Sequence, residues 1–186
     1  MNSAFMPQSL SNWRLAIFAI GLTLLNQSGA AEDYRVSLVH GTGKDAGLSG
    51  VAVTTHPNFW VKKIQNGAEV TASIEIGLSR ISGDTKPPNG PVTVLGITPV
   101  LRFVPEGGKT YAEFGIGANY FDERQITSTK SLGTKFEFGD LAGFGIRFGE
   151  KKSYEIGYRF IHYSNASIST HNPGLDFHQL RFQAAY

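Results

Sequence analysis

His162 and Ser164 are separated by a single residue, and Asp176 follows the serine by twelve. These are the types a nucleophilic acyl transfer needs. A serine hydroxyl attacks a carbonyl poorly until an imidazole takes its proton, and a carboxylate fixes the imidazole's tautomer and steadies its charge. The oxyanion that forms needs donors already in place. Asn165, Asn172 and the backbone N–H groups around Ala166 and Ser167 are the candidates nearby. Spacing alone also allows a plainer role, in which His162 and Ser164 belong to a polar belt at the rim of a sheet. The chain has no Cys, which excludes thiol nucleophiles, disulfides and Cys-ligated metal.

The surrounding elements must decide how these residues meet. Period-two alternation recurs along the chain, and no stretch holds a helical period for long. Tyr34–His40 alternates, Ser49–Trp60 does so weakly, and Ala68–Leu78 does so clearly. Further segments run over Leu95–Phe103, Ala112–Tyr120, Phe136–Phe148, Tyr154–Phe160 and Leu180–Tyr186, the last beginning near 175–178. Eight segments of about ten residues suit an even number of membrane-crossing strands.

Composition fits with this once the ends are set apart. The 186 residues are 41% apolar and 17% charged, with 22 Gly and a formal charge of +2. Mean hydropathy is -0.13. So small a net charge, without a basic stripe interleaved with aromatics, gives no reason to expect nucleic acid. The one long apolar run is Leu15–Leu25, preceded by Arg14 and followed by small residues at Ser28 and Ala30. That order describes a cleaved secretory signal peptide over 1–30, and the run is too short for a membrane helix. Residues 31–186 would then be one exported β domain.

A two-sheet sandwich would alternate as well, but three features favour an all-β, eight-stranded antiparallel transmembrane β-barrel. The polar face carries nearly balanced charge (Arg35, Glu69, Glu75, Arg102, Glu113, Arg147, Glu155, Arg159 and Arg181) together with glycines such as Gly115 and Gly117. Such a face suits a narrow lumen filled by side chains. Connections alternate between tight turns (105–108 and 149–152) and long loops (79–90, 122–133 and 166–174). The chain ends on the aromatic Tyr186, resembling the C-terminal signal that the outer-membrane assembly machinery reads in bacterial barrels. Both termini then lie on the periplasmic side, and His162, Ser164 and Asp176 come by parity to the lipid-facing wall at the outer ends of adjacent strands. Ionisable groups facing hydrocarbon are costly and point to function.

The run His162-Tyr163-Ser164-Asn165-Ala166, with Asn172-Pro173-Gly174 and a carboxylate after it, resembles the PagL family of outer-membrane lipid A 3-O-deacylases. The likeness is strong over about 160–181 and weaker over the remaining mature length. It implies His162 as base, Ser164 as nucleophile and Asp176 as acid, where the best-known members carry Glu. Phe138 matches a family aromatic on the neighbouring strand, placed to pack beside the histidine or the acyl chain; an ordinary lipid-facing aromatic is the alternative. The implied reaction is cofactor-free hydrolysis of the ester-linked 3-hydroxyacyl chain of lipid A in lipopolysaccharide, in the bacterial outer membrane. Cations at Lys44, Arg80, Lys86, Arg124, Lys130 and Lys135, read as loop residues, could meet its phosphates.

The other histidines fit plainer roles, His40 and His178 at strand tops and His56 and His171 in loops. No spacing suggests a metal site. A structural or adhesion barrel and a phospholipase acting on glycerophospholipid are the competing functions, and both a monomer and a homodimer stay open.

Overall fold

A computed structural model of the chain describes residues 34–55, 60–83 and 90–185. The signal segment 1–30, His56, Lys86 and Tyr186 lie outside the described residues. Among the described residues nine strands are formed: β1 (Tyr34–Gly43), β2 (Ala46–Thr55), β3 (Trp60–Lys63), β4 (Glu69–Gly83), β5 (Val92–Val104), β6 (Thr110–Phe121), β7 (Phe136–Phe148), β8 (Tyr154–Ser164) and β9 (Leu175–Ala185). All pairings are antiparallel; most join strands consecutive in the chain, and β2–β4 and β1–β9 close the sheet. The result is an eight-stranded barrel, with β3 as an addition beside the lower part of β4.

Two expectations change. The single weak segment expected over 49–60 is two strands: β2 pairs with β4 down to Thr54↔Glu75, and β3 takes over from Trp60↔Ala72. Between them the sequence carries Pro57, which has no N–H to give a ladder. The connections do not alternate throughout either. At the end of the barrel that bears the long loops, β1 and β2 are joined by Lys44 and Asp45 alone, with Asp45 at φ 63. Arg80, read as a loop cation, belongs to β4, because that strand runs on to Gly83.

Alternation decides the two faces. Ile97, Leu101, Phe114, Ile116, Phe144, Ile146, Ile156 and Leu180 stand exposed around the outside, the apolar band a lipid-facing wall requires. Inside, Arg and Glu interlock. Arg159 reaches Glu75 at 2.6 Å and Glu113 at 2.5 Å, Arg102 reaches Glu113 at 2.8 Å, and Arg35 reaches Glu155 at 2.7 Å. Charges taken out of water survive only when paired and hydrogen-bonded in this way. Of the nine charges expected on this face, Glu69 stands at the rim, at the start of β4. The lumen is too narrow for a side chain at several positions. A Cβ on Gly117 would fall 2.1 Å from Thr98 Oγ1, and one on Gly145 would fall 2.4 Å from the Tyr111 hydroxyl.

The loop end of the lumen differs from the charged interior that was expected. Leu48, Ile81, Phe121, Leu141, Tyr163, Leu175 and Phe177 turn inward there and pack with Ile126 and Leu132 from the β6–β7 loop. Phe121 meets Tyr163 edge-on at 5.3 Å. This apolar plug holds down the ends of β8 and β9, on which the chemistry-bearing residues sit.

Candidate active site

His162 and Ser164 fall within the last three residues of β8, and Asp176 is the second residue of β9. The β8–β9 register sets His162 directly opposite Asp176, and their neighbours Tyr163 and Phe177 are buried inward. Parity therefore turns all three outward. His162 Nδ1 lies 2.6 Å from Asp176 Oδ1. The two side chains are 41% and 58% exposed, so the pair opens through the outer wall and not into the lumen. With Nδ1 engaged by the carboxylate, Nε2 is the nitrogen left to serve a hydroxyl. Ser164 presents that hydroxyl on the same face, two residues along the strand.

The backbone after Ser164 turns sharply. Ala166 and Ser167 have φ of 50° and 65°, a left-handed pair without glycine, and Ile168 N donates to Asn165 O at 3.0 Å. Side chains pay for that conformation, which recurs at functional sites because the surrounding structure enforces it. Asn165 supplies part of the enforcement. It is fully buried, and its Nδ2 donates to the His171 carbonyl at 3.0 Å. Its own N–H donates to Asn172 Oδ1 at 3.0 Å. The Asn165 side chain thus braces the loop from inside, while Asn172 has its oxygen fixed and its amide nitrogen remaining. His171 Nε2 lies 2.9 Å from the Ser131 carbonyl, tying this loop to the β6–β7 loop.

Phe138 is the cross-strand partner of Ser164. It is half-buried and packs edge-on against Phe136 at 5.2 Å, forming an aromatic flank to the serine. Two features escaped the sequence reading. Asp140 is the β7 partner of His162 and is exposed on the same outward face, so carboxylates stand on both sides of the imidazole. Asp176 is the one hydrogen-bonded to it. Its parity with Phe136 and Phe138 was the available signal, since an ionisable group on a lipid-facing parity is costly. Gly174 is the second. It is buried with φ 63, and a Cβ there would lie 2.8 Å from His162 Cε1, so the imidazole occupies space that only glycine leaves. Among the described residues no group of three or more His, Asp or Glu could hold a metal ion.

A closed eight-stranded barrel with an apolar outside, a salt-bridged lumen and a Ser, His and carboxylate cluster on its wall is a small transmembrane β-barrel of an enzyme-like kind. The family model described as lipid A 3-O-deacylase (PagL) matches residues 48–185, and the chain belongs to that family. A lipid A deacylase PagL of Bordetella bronchiseptica is 35% identical over 127 residues, covering 68% of this chain and 69% of the relative. One of Pseudomonas aeruginosa is 32% identical over 84 residues, covering 45% and 47%. The crystal structure of the outer membrane enzyme PagL has the same fold, with a TM-score of 0.69 at 22% identity, covering 81% of this chain and 98% of that one.

Proposed function

We propose that this protein is an outer-membrane esterase that removes the 3-O-linked acyl chain of lipid A, with Ser164 as nucleophile, His162 as base and Asp176 as acid. The reading rests on one observation above all: the hydrogen bond from the His162 imidazole to Asp176 at 2.6 Å on the lipid-facing wall. A lumenal site would serve a soluble substrate. A site on the outside, at the loop end of the barrel, serves a lipid that stays in the leaflet. Residues 1–30 would be removed on export, and the loop end would face outward, where lipopolysaccharide lies.

In this mechanism the Ser164 hydroxyl attacks the ester carbonyl as its proton passes to His162 Nε2. The Asn172 amide and the N–H groups of Ala166 and Ser167 are the donors for the resulting oxyanion. Collapse breaks the ester C–O bond, and His162 returns its proton to the departing sugar hydroxyl. Water, deprotonated by the same imidazole, then attacks the acyl-enzyme, releasing the fatty acid and restoring Ser164. Asp176 keeps the imidazole in the productive tautomer throughout.

The test is to fold the protein in detergent, add lipopolysaccharide and analyse products by mass spectrometry. Release of 3-hydroxy fatty acid by wild type, and not by a folded Ser164→Ala variant, is the expected result. Equal lipid A profiles from the two would overturn catalysis. Preferential cleavage of glycerophospholipid in a mixed sample would overturn the lipid A assignment.

A further inference from the structure

The outer wall is not uniform around Ser164. On the β7 side Phe138 stands directly opposite it, with Asp140 two residues along the strand opposite His162. The Phe138 row continues to Ala118 and Ile97, and a depression of about 310 Å³ opens there, lined by side chains that include Leu95, Ala118, Tyr120 and Phe136. The β9 side is built differently. Phe160 pairs with His178, and His178 with Thr42. One step below, Leu180 pairs with His40, His40 with Ser49, and Ser49 with Arg80. Parity turns each of these outward.

Hydrogen bonds organise this second face. Tyr158 Oη lies 2.6 Å from His178 Nδ1, and Ser49 Oγ lies 3.0 Å from His40 Nδ1. Neither pair takes part in the triad. On β1 and β2 the exposed large apolar side chains are Tyr34 and Val53, both at the end away from Ser164. Polar groups with spare capacity are expensive against acyl chains, so the upper part of this wall is fitted for a polar neighbour. The two-residue β1–β2 turn is too short to cover it, and Lys44 in that turn and Arg80 on β4 are both exposed.

We propose that this face, formed by the upper parts of β9, β1, β2 and β4, binds the phosphorylated saccharide headgroup of the lipid whose ester Ser164 attacks. This rests on the esterase reading above. An ester carbonyl held at Ser164 joins an acyl chain to the alcohol of the headgroup. The apolar depression takes the chain side, and the alcohol side leaves over β9 and β1. Lys44 and Arg80 meet the phosphates as charge-assisted donors, while His178 and the His40–Ser49 pair meet sugar oxygens.

The experiment measures initial rates in mixed micelles on three substrates: phosphorylated lipid A, the same lipid after phosphatase treatment, and a single-chain p-nitrophenyl ester without a headgroup. In Lys44→Gln/Arg80→Gln, KM for phosphorylated lipid A is expected to rise about tenfold, as the loss of charge-assisted contacts implies, with kcat nearly unchanged. Rates on the other two substrates should hold. Asp45→Asn, which removes the anion beside Lys44, should lower KM for the phosphorylated substrate alone. An unchanged KM, or a parallel loss on all three substrates, would overturn the headgroup site. Ser164→Ala distinguishes the two readings: if it stays active on every substrate, the esterase reading falls and this proposal with it. If it is inactive while the charge variants behave as wild type, only the headgroup site is lost.

Discussion

Asp176 reaches His162 across the β8–β9 ladder, with the imidazole Nδ1 2.6 Å from the carboxylate and both groups facing out of the barrel. The pair is rigid by construction. Tyr163, next to His162, and Phe177, next to Asp176, are buried in the apolar plug, and their rings meet at 6.3 Å. The side chains proposed for the chemistry alternate with those that anchor them.

Asp176→Ala should therefore lower kcat on lipid A by about 10³- to 10⁴-fold, the scale on which a triad acid acts. Asp176→Glu should recover most of the activity, since it keeps a carboxylate directly across the ladder from His162. Asp140→Asn should cost less than Asp176→Ala, because Asp140 stands opposite His162 without being the carboxylate bonded to it. Mass-spectrometric rates for the three folded variants check the order. A larger loss at Asp140 than at Asp176 would exchange their roles.

Ser164→Ala should leave the barrel intact and reduce fatty-acid release by at least about 10³-fold. Its side chain is part of no packed core, so the heat-dependent electrophoretic shift of a folded barrel should match wild type. A folded variant that still releases acid at near the wild-type rate would move the nucleophile elsewhere.

How much of this was legible in the chain follows from what alternation can carry. Parity placed His162, Ser164, Asp176 and Phe138 on the outside, because a one-residue error would have turned Phe160 or Leu180 into a lumen full of arginine. Pairing partners are another matter. That Asp140 stands beside His162 depends on the β7–β8 register, which is set by the length and path of the 149–153 turn and not by the pattern of either strand. The apolar plug escaped for a related reason. Ile126 and Leu132 lie in a loop with no period, and only the folded loop shows them packed against Phe121 and Phe177. Gly174 entered only as part of the Asn172-Pro173-Gly174 run, and its closeness to the imidazole is a contact that only the folded loop shows.

Gly174→Ala tests that contact. The position has φ 63, where an alanine is disfavoured by about 1 kcal/mol, and the added Cβ would lie 2.8 Å from His162 Cε1. The imidazole must shift, and a displacement of about 1 Å in a catalytic group can cost about 10²-fold. A fall in kcat of that order, with KM and the folded mobility retained, is the expected outcome. Unaltered kcat would show that the ring has room to adapt.

Glu113 separates the barrel's stability from its chemistry. It is fully buried, accepting from Arg102 at 2.8 Å and from Arg159 at 2.5 Å, with Arg181 at 3.3 Å. Glu113→Ala leaves these guanidiniums short of a counter-charge inside the lumen, and removing one partner of such a network costs about 3–5 kcal/mol. The midpoint of urea unfolding in detergent should drop accordingly. Glu113→Gln, which keeps the shape and some of the hydrogen bonds, should lose less. Because the network faces the lumen and the proposed triad faces lipid, kcat per folded molecule should stay near wild type in both variants. A loss of kcat matching the loss of stability would instead show that the lumen's charges hold the outer wall in its active geometry.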